Sequence, residues 1–196
     1  MDNLTNSIDQ VVQENVLPHE WPKEVLAELK NLEVKNNKRA DLRKIPFVTI
    51  DGKDAKDFDD AVFCEFNKDG FNLQVAIADV AEIVKQDSLI DKEALLRGTS
   101  IYFPKRVIPM LPEEISNNLC SLIPNEDRNV LVCKINYSKE GEINSYEFSE
   151  AVIHSHKRFT YNDVEFIKQN KDINLSAEIL DSLDALAKLT KQLLYN

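Results

Sequence analysis

The run "NVLVCKINYSKEGEINSYEFSEAVIHSH", from Asn129 to His156, limits the choice of fold more than any other stretch of this chain. Two apolar-rich segments flank the turn-forming "SKEG", which is the pattern of a β-hairpin with long arms. A second hairpin is read from "DAVFCEF", "NKDG" and "FNLQVAIADV", with the turn at Asn67–Gly70. "PFVTID" and "TSIYFP" have the β-branched and aromatic content of further strands. The spacing predicts helices near 23–33, where Val25, Leu26, Leu29 and Leu32 share a face, near 88–97, and over 176–195. Pro22 is tolerated in a first turn, Ser88 is placed to cap the second helix with Asp91 three residues on, and Gly98 stands where that helix would stop. The expected fold class is therefore α+β, with a mixed or antiparallel sheet and flanking helices. The order of the strands does not follow from these patterns.

The proline-bracketed "PKRVIPMLP" is expected to form an ordered loop without regular structure. Residues 1–18 carry weak periodicity and are read as an arm or the end of an upstream connection, with 19–196 as one domain. The last helix places Ile179, Leu183, Leu186, Thr190 and Leu193 on one face and runs out without cap, glycine or breaker. An apolar stripe ending so abruptly leads us to expect a piece of a longer domain, incomplete at its C-terminus.

Charge narrows the function classes. With 34 acidic against 24 basic residues and a net charge of -10, the 196-residue chain is not built to hold polyanions by bulk charge, so any nucleic acid must be held locally. Cys64, Cys120 and Cys133 are odd in number and far apart, which argues for reduced thiols rather than a disulfide framework or zinc site. No apolar run reaches the length of a membrane span, and the first residues lack the layout of a signal peptide. A cytoplasmic protein is expected.

The densest chemistry lies in "TIDGKDAKDFDDAV", which carries Asp51, Asp54, Asp57, Asp59 and Asp60 against two lysines. Asp57 and Asp59 project to one side of an extended segment and Asp60 to the other, while Gly52 lets the chain turn behind Asp51. Folding 52–56 back as a loop would bring four carboxylates together. Carboxylates so close raise one another's pKa, and a divalent cation relieves the conflict. An all-oxygen set without histidine favours Mg2+ or Mn2+, and Mg2+ commonly shares its shell with substrate phosphate oxygens. The competing reading is a solvated acidic turn. An EF-hand is disfavoured because Ala61 follows at the fifth position from Asp57 with no glycine at the sixth. "VKNNKRADLRK", with Lys35, Lys38, Arg39, Arg43 and Lys44, reads either as solvated surface or as a phosphate contact.

"DLRKIPFVTIDGKDAKDFDDAV", "VAIADV", "RGTSIYFP", "VIPMLPEEISNNLCSL" and "SHKRFTY", in that order, resemble the catalytic RNB domain of the ribonuclease R and ribonuclease II family, nearer the ribonuclease R side. The resemblance runs from about Leu17 to about Phe166. It implies a partial RNB-type domain of a processive 3′→5′ exoribonuclease that hydrolyses single-stranded RNA to nucleoside 5′-monophosphates with Mg2+. The family's four invariant acids fall on Asp51, Asp57, Asp59 and Asp60, which are thereby implied as catalytic and metal-ligating; Asp54 lies outside the set. Tyr102 matches the aromatic that packs on the 3′-terminal base. From their charge, Lys105 and Arg106 beside it, and His154, His156, Lys157 and Arg158 in "HSHKRFTY", are candidates to meet RNA phosphates, with His156 and Arg158 the ones chosen from the second group. His154 and His156 would share one side of a strand, as a metal pair or as structural or RNA-facing histidines. The family's later acidic and arginine motifs, and its flanking RNA-binding barrels, have no counterpart in this sequence. The alternative is thus a non-catalytic fragment that binds metal or RNA without turnover.

Overall fold

The computed structural model describes residues 3–32, 38–104, 106–170 and 174–195. In chain order the elements are α1 (Asn3–Glu14), α2 (Lys23–Leu29), β1 (Ala40–Asp41), β2 (Val48–Asp51), β3 (Asp60–Asn67), β4 (Gly70–Ala78), α3 (Val80–Ile83) and α4 (Leu89–Arg97). There follow β5 (Ile101–Phe103), β6 (Arg106–Ile108), a π-turn at Ile115–Leu119, β7 (Asp127–Tyr137), β8 (Ile143–His154), β9 (Lys157–Thr160), α5 (Tyr161–Asn170) and α6 (Ala177–Tyr195). The chain divides into two compact units: Met1–Lys35 with Ala81–Ser116, and Asn36–Val80 with Asn117–Asn196.

The second unit is a seven-stranded sheet in the order β1-β8-β7-β4-β3-β2-β9. Both expected hairpins are present, β3 with β4 and β7 with β8, each antiparallel. The sheet is nevertheless mixed, because β1 lies parallel to β8 and β2 parallel to β9. This second parallel pairing sets Asp51 beside Thr160 and Thr49 beside Arg158, although more than a hundred residues separate them in the chain. α6 closes one side. Ile179 and Leu183 pack with Val48, Phe159 and Ile167, and Ala185 and Leu189 pack with Cys64, Phe71 and Tyr137. Buried Ser182 accepts a hydrogen bond from the Cys64 backbone N–H at 2.9 Å, tying the helix to β3. Burial pushes the Cys64 thiol up to about 12 and the Cys120 thiol up to about 11, so both stay protonated and unreactive at neutral pH.

Arg39 and Asp79 form a buried ion pair at 2.7 Å, so part of the basic run over 35–44 is structural. Arg43 bridges Asp41 at 2.7 Å and Asp127 at 3.1 Å, which spends a second of its cations on carboxylates. Lys35 lies outside the described residues.

The first unit holds α1, α2, α4 and the β5–β6 pair. α4 begins and ends as its sequence dictates: the Ser88 hydroxyl accepts from the Asp91 N–H, and Gly98 closes it at φ 73°. Two expectations are corrected here. "PKRVIPMLP" is not free of regular structure, because Arg106–Ile108 pairs antiparallel with Ile101–Phe103. Pro104 and Pro109 fall just outside this three-residue strand, so neither ring removes a donor that the ladder needs. Residues 3–14, for which the sequence suggested no element, are helical, with Ile8 and Val12 buried against Ile108. One i,i+4 pair is all the periodicity this helix needs, because only a narrow seam of it is covered. α5 also escaped the periodicity, yet "TYND" opens it as a capping box. The Thr160 N–H and hydroxyl both donate to Asp163 at 2.7 Å, and the Thr160 Oγ1 accepts from the Asp163 N–H at 3.2 Å.

Candidate functional site

Asp51 ends β2 and Asp60 begins β3, the neighbouring antiparallel strand, so two of the four aspartates sit on the same rim of the sheet. Asp57 and Asp59 lie on the loop between these strands. Asp51 and Asp57 are half-buried, whereas Asp59 and Asp60 are exposed. Burial raises the Asp51 carboxyl above the ordinary carboxylate range, with the charges of Asp60 and Asp57 adding to it and Arg158 opposing it. Asp59 shifts the same way through desolvation and the charges of Asp57, Asp60 and Asp51. Its surface remains open to water, so solvent screens much of that repulsion. The four carboxylates therefore feel one another as a group.

One atom in the group is anomalous. The Asp51 Oδ2 is buried and has no hydrogen-bond partner. A buried carboxylate oxygen without a donor is costly, since it has given up water and gained nothing in exchange. Among the described residues, no three His, Cys, Asp or Glu side chains stand close enough to form a ready-made ligand shell. The aspartates are thus neighbours in charge without being a closed cage. An unpartnered buried oxygen beside further carboxylates fits a hard divalent cation that takes few protein ligands and completes its shell from water and phosphate.

Gly52 needs correction as the source of the turn. Its φ is not in the left-handed region, and a Cβ there would meet nothing within 4 Å. The turn is instead made by the Ala55 N–H donating to the Gly52 carbonyl at 3.2 Å, a bond open to any residue at 52.

The other predicted residues are distributed as follows. Tyr102 lies on β5 with 68% of its surface exposed, so its ring is free to receive a planar partner. Arg106, on β6, is paired with Asp9 at 2.6 Å. Lys105 lies outside the described residues. His154 ends β8 and His156 lies beyond it, so the two do not share one strand, yet their rings meet edge-on with centroids 5.5 Å apart. His154 Nδ1 faces Asp127 at 2.9 Å; His156 Nδ1 donates to the His154 carbonyl at 2.9 Å, which fixes its tautomer because a carbonyl only accepts. The Asp127 carboxyl is held below the ordinary range by its bond to His154, with Arg43 adding to the effect.

Arg158, on β9, faces the acidic loop. Its Nη2 donates to the carbonyls of Gly52 at 3.0 Å and Lys53 at 2.8 Å, and its guanidinium lies 5.1 Å from the centroid of the Phe58 ring. Ser121 is a member of this neighbourhood that the sequence reading passed over. Its hydroxyl donates to the Lys56 carbonyl at 2.9 Å and accepts from the Phe58 N–H at 3.0 Å. No local pattern marks a serine that acts across more than sixty residues; only the resemblance of "NNLCSL" as a block pointed to the segment.

A family profile described as the RNB domain matches residues 39–195, four-fifths of the chain. The chain belongs to the RNB domain family. Within that family it is 47% identical over 190 residues to a ribonuclease R of Acidithiobacillus ferrooxidans, covering 93% of this chain and 43% of the relative. It is 50% identical over 167 residues to the ribonuclease R of Vibrio parahaemolyticus, covering 82% and 20% respectively. Among solved structures, Mycoplasma genitalium RNase R in complex with double-stranded RNA superposes with a TM-score of 0.93 at 35% identity, over 99% of this chain and 36% of that one. This RNB chain therefore spans well under half the length of the relatives it matches. Yeast Ssd1, described as a pseudonuclease, shares the fold at a TM-score of 0.66 and 15% identity, covering 90% of this chain and 20% of that one.

Proposed function

We propose that this chain carries the acidic half of the active site of a processive, cytoplasmic 3′→5′ exoribonuclease, which hydrolyses single-stranded RNA to nucleoside 5′-monophosphates with Mg2+ or Mn2+. The observation that carries the reading is the coupled group of Asp51, Asp57, Asp59 and Asp60 with its buried, donorless oxygen on Asp51. These residues would hold the cation, which when bound supplies Lewis-acid stabilisation of phosphoryl charge and lowers the pKa of an attacking water. The aspartates keep that position negative and oriented. Asp59, exposed on the loop, would either orient an attacking water or ligate the cation directly. No covalent nucleophile from the protein is called for. Tyr102 offers an exposed π-face on which a terminal base of any identity can stack, an interaction worth about 1–3 kcal/mol and indifferent to sequence.

A second reading, binding of metal or RNA without turnover, is favoured by one observation. The side chains of Arg39, Arg43 and Arg158 are already committed to carboxylates or carbonyls. The test is degradation of a 5′-labelled single-stranded RNA with Mg2+, with and without EDTA. The proposal predicts a ladder shortening from the 3′ end that disappears in Asp59→Asn and with EDTA. Retention of Mg2+ binding with intact RNA in the wild type would select the non-catalytic reading.

A further inference from the structure

Taking the cation reading of the acidic group as its basis, we infer that Ser121 and Arg158 are positioning residues that clamp the loop between Asp51 and Asp60 and set the register of its carboxylates. Residues 52–59 belong to no helix or strand, and five aspartates lie within 51–60, so mutual repulsion acts to spread this segment. Something outside the loop has to hold it. The described structure supplies two separate anchors.

The first grips the start of the loop. β9 runs parallel to β2 with Arg158 beside Thr49, so the side chain leaves the sheet next to the point where β2 turns into the loop. One guanidinium nitrogen takes the carbonyls of both Gly52 and Lys53, and the planar group covers the buried ring of Phe58. The guanidinium donates in its own plane while it lies over the ring; a lysine, shorter and with its charge at one point, would hold the two carbonyls and the ring less well together.

The second anchor brackets Asp57. Ser121 is fully buried, and its single hydroxyl donates to the carbonyl of residue 56 while accepting from the amide of residue 58. The Leu122 N–H then donates to the Phe58 carbonyl at 2.9 Å. Both peptide groups flanking Asp57 are thereby fixed to one short segment. A hydroxyl is the smallest group that both gives and accepts at one atom, so alanine at 121 would release both contacts at once. Groups that orient ligands in this way, without touching the ion, typically govern metal affinity by about 10–100-fold.

The experiment compares the full chain with Ser121→Ala, Arg158→Lys and Asp51→Asn by two readouts: amide hydrogen exchange resolved over residues 52–60, and Mn2+ binding followed by EPR. Ser121→Ala is expected to speed exchange at 56–58 and Arg158→Lys at 52–55, with β4 and β7 unchanged in both. Each is expected to weaken Mn2+ binding by roughly tenfold. Wild-type exchange across 52–60 in both variants overturns the clamp, as does unaltered Mn2+ affinity in both when Asp51→Asn abolishes binding. If Asp51→Asn binds Mn2+ like the wild type, the cation reading falls. The exchange data then decide the clamp alone: localised loss of protection upholds it, and its absence removes it. Exchange that rises throughout the sheet in Ser121→Ala would show general unfolding and pass the decision to Arg158→Lys.

Discussion

Asp51 shows at a single residue how this site opposes the stability of its own scaffold. Its folded-state pKa is raised by burial and by the neighbouring carboxylates, so the folded form prefers it protonated. The sign follows from linkage: whatever Asp51 contributes is fully present below the unfolded pKa of about 3.9 and is lost as pH rises through the folded value. At neutral pH the ionised side chain therefore works against folding. Asp51→Asn is expected to match the wild type near pH 3 and to melt higher at pH 7, by about 1–2 °C once solvent screening is allowed for. Thermal melts at the two pH values check this. A variant that is less stable at pH 7 would mean that the carboxylate is satisfied as it stands.

At the scale of elements, the paired pieces were legible and the joins between them were not. The hairpin at Asn67–Gly70, the arms around "SKEG" and the Ser88 and Gly98 ends of α4 each rest on contacts fewer than thirty residues apart, where sequence pattern and structure report the same physics. The parallel pairing of β2 with β9 has no local signature, yet it is what brings Arg158 to the acidic loop. The acidic run from Asp51 to Asp60 was likewise legible, and its charges act on one another in the fold, but no three of its carboxylates form a ready-made metal shell. Gly52 misled because glycine is frequent in turns for a conformation that this turn does not use. The buried Arg39–Asp79 pair is another long-range join, linking the segment before β1 to the end of β4. Arg39→Ala would leave the Asp79 side chain buried without this cation, and is expected to cost about 3–5 kcal/mol. Urea unfolding measures it; a loss below about 1 kcal/mol would show that water reaches the site.

Over the whole molecule, the sheet is unevenly covered. α6 packs on β3 and β4, while on β8 the rings of Tyr146 and Phe148 meet at 5.8 Å and are 66% and 73% exposed. The register sets Tyr146 opposite half-buried Ile135 and Phe148 opposite half-buried Cys133, so the two exposed rings form a short apolar strip on β8. Such a strip promotes association of the isolated chain. Tyr146→Ser with Phe148→Ser is expected to raise the concentration at which the chain remains monodisperse, at little cost in melting temperature, as light scattering and thermal melts would report. No described helix is long and apolar enough to cross a membrane.

The proposed divalent-cation site requires Asp51, Asp57, Asp59 and Asp60 to act together. The most direct measurement is the melting temperature of the wild type and Asp51→Asn at pH 7 across a Mg2+ titration. A ligand that binds only the folded state stabilises it in proportion to RT ln(1 + [L]/Kd), about 2.7 kcal/mol at a hundredfold excess over Kd. A shared cation site gives a wild-type melting temperature that climbs with the logarithm of Mg2+ and overtakes that of Asp51→Asn, which starts higher and stays flat. Parallel curves for the two proteins would contradict it.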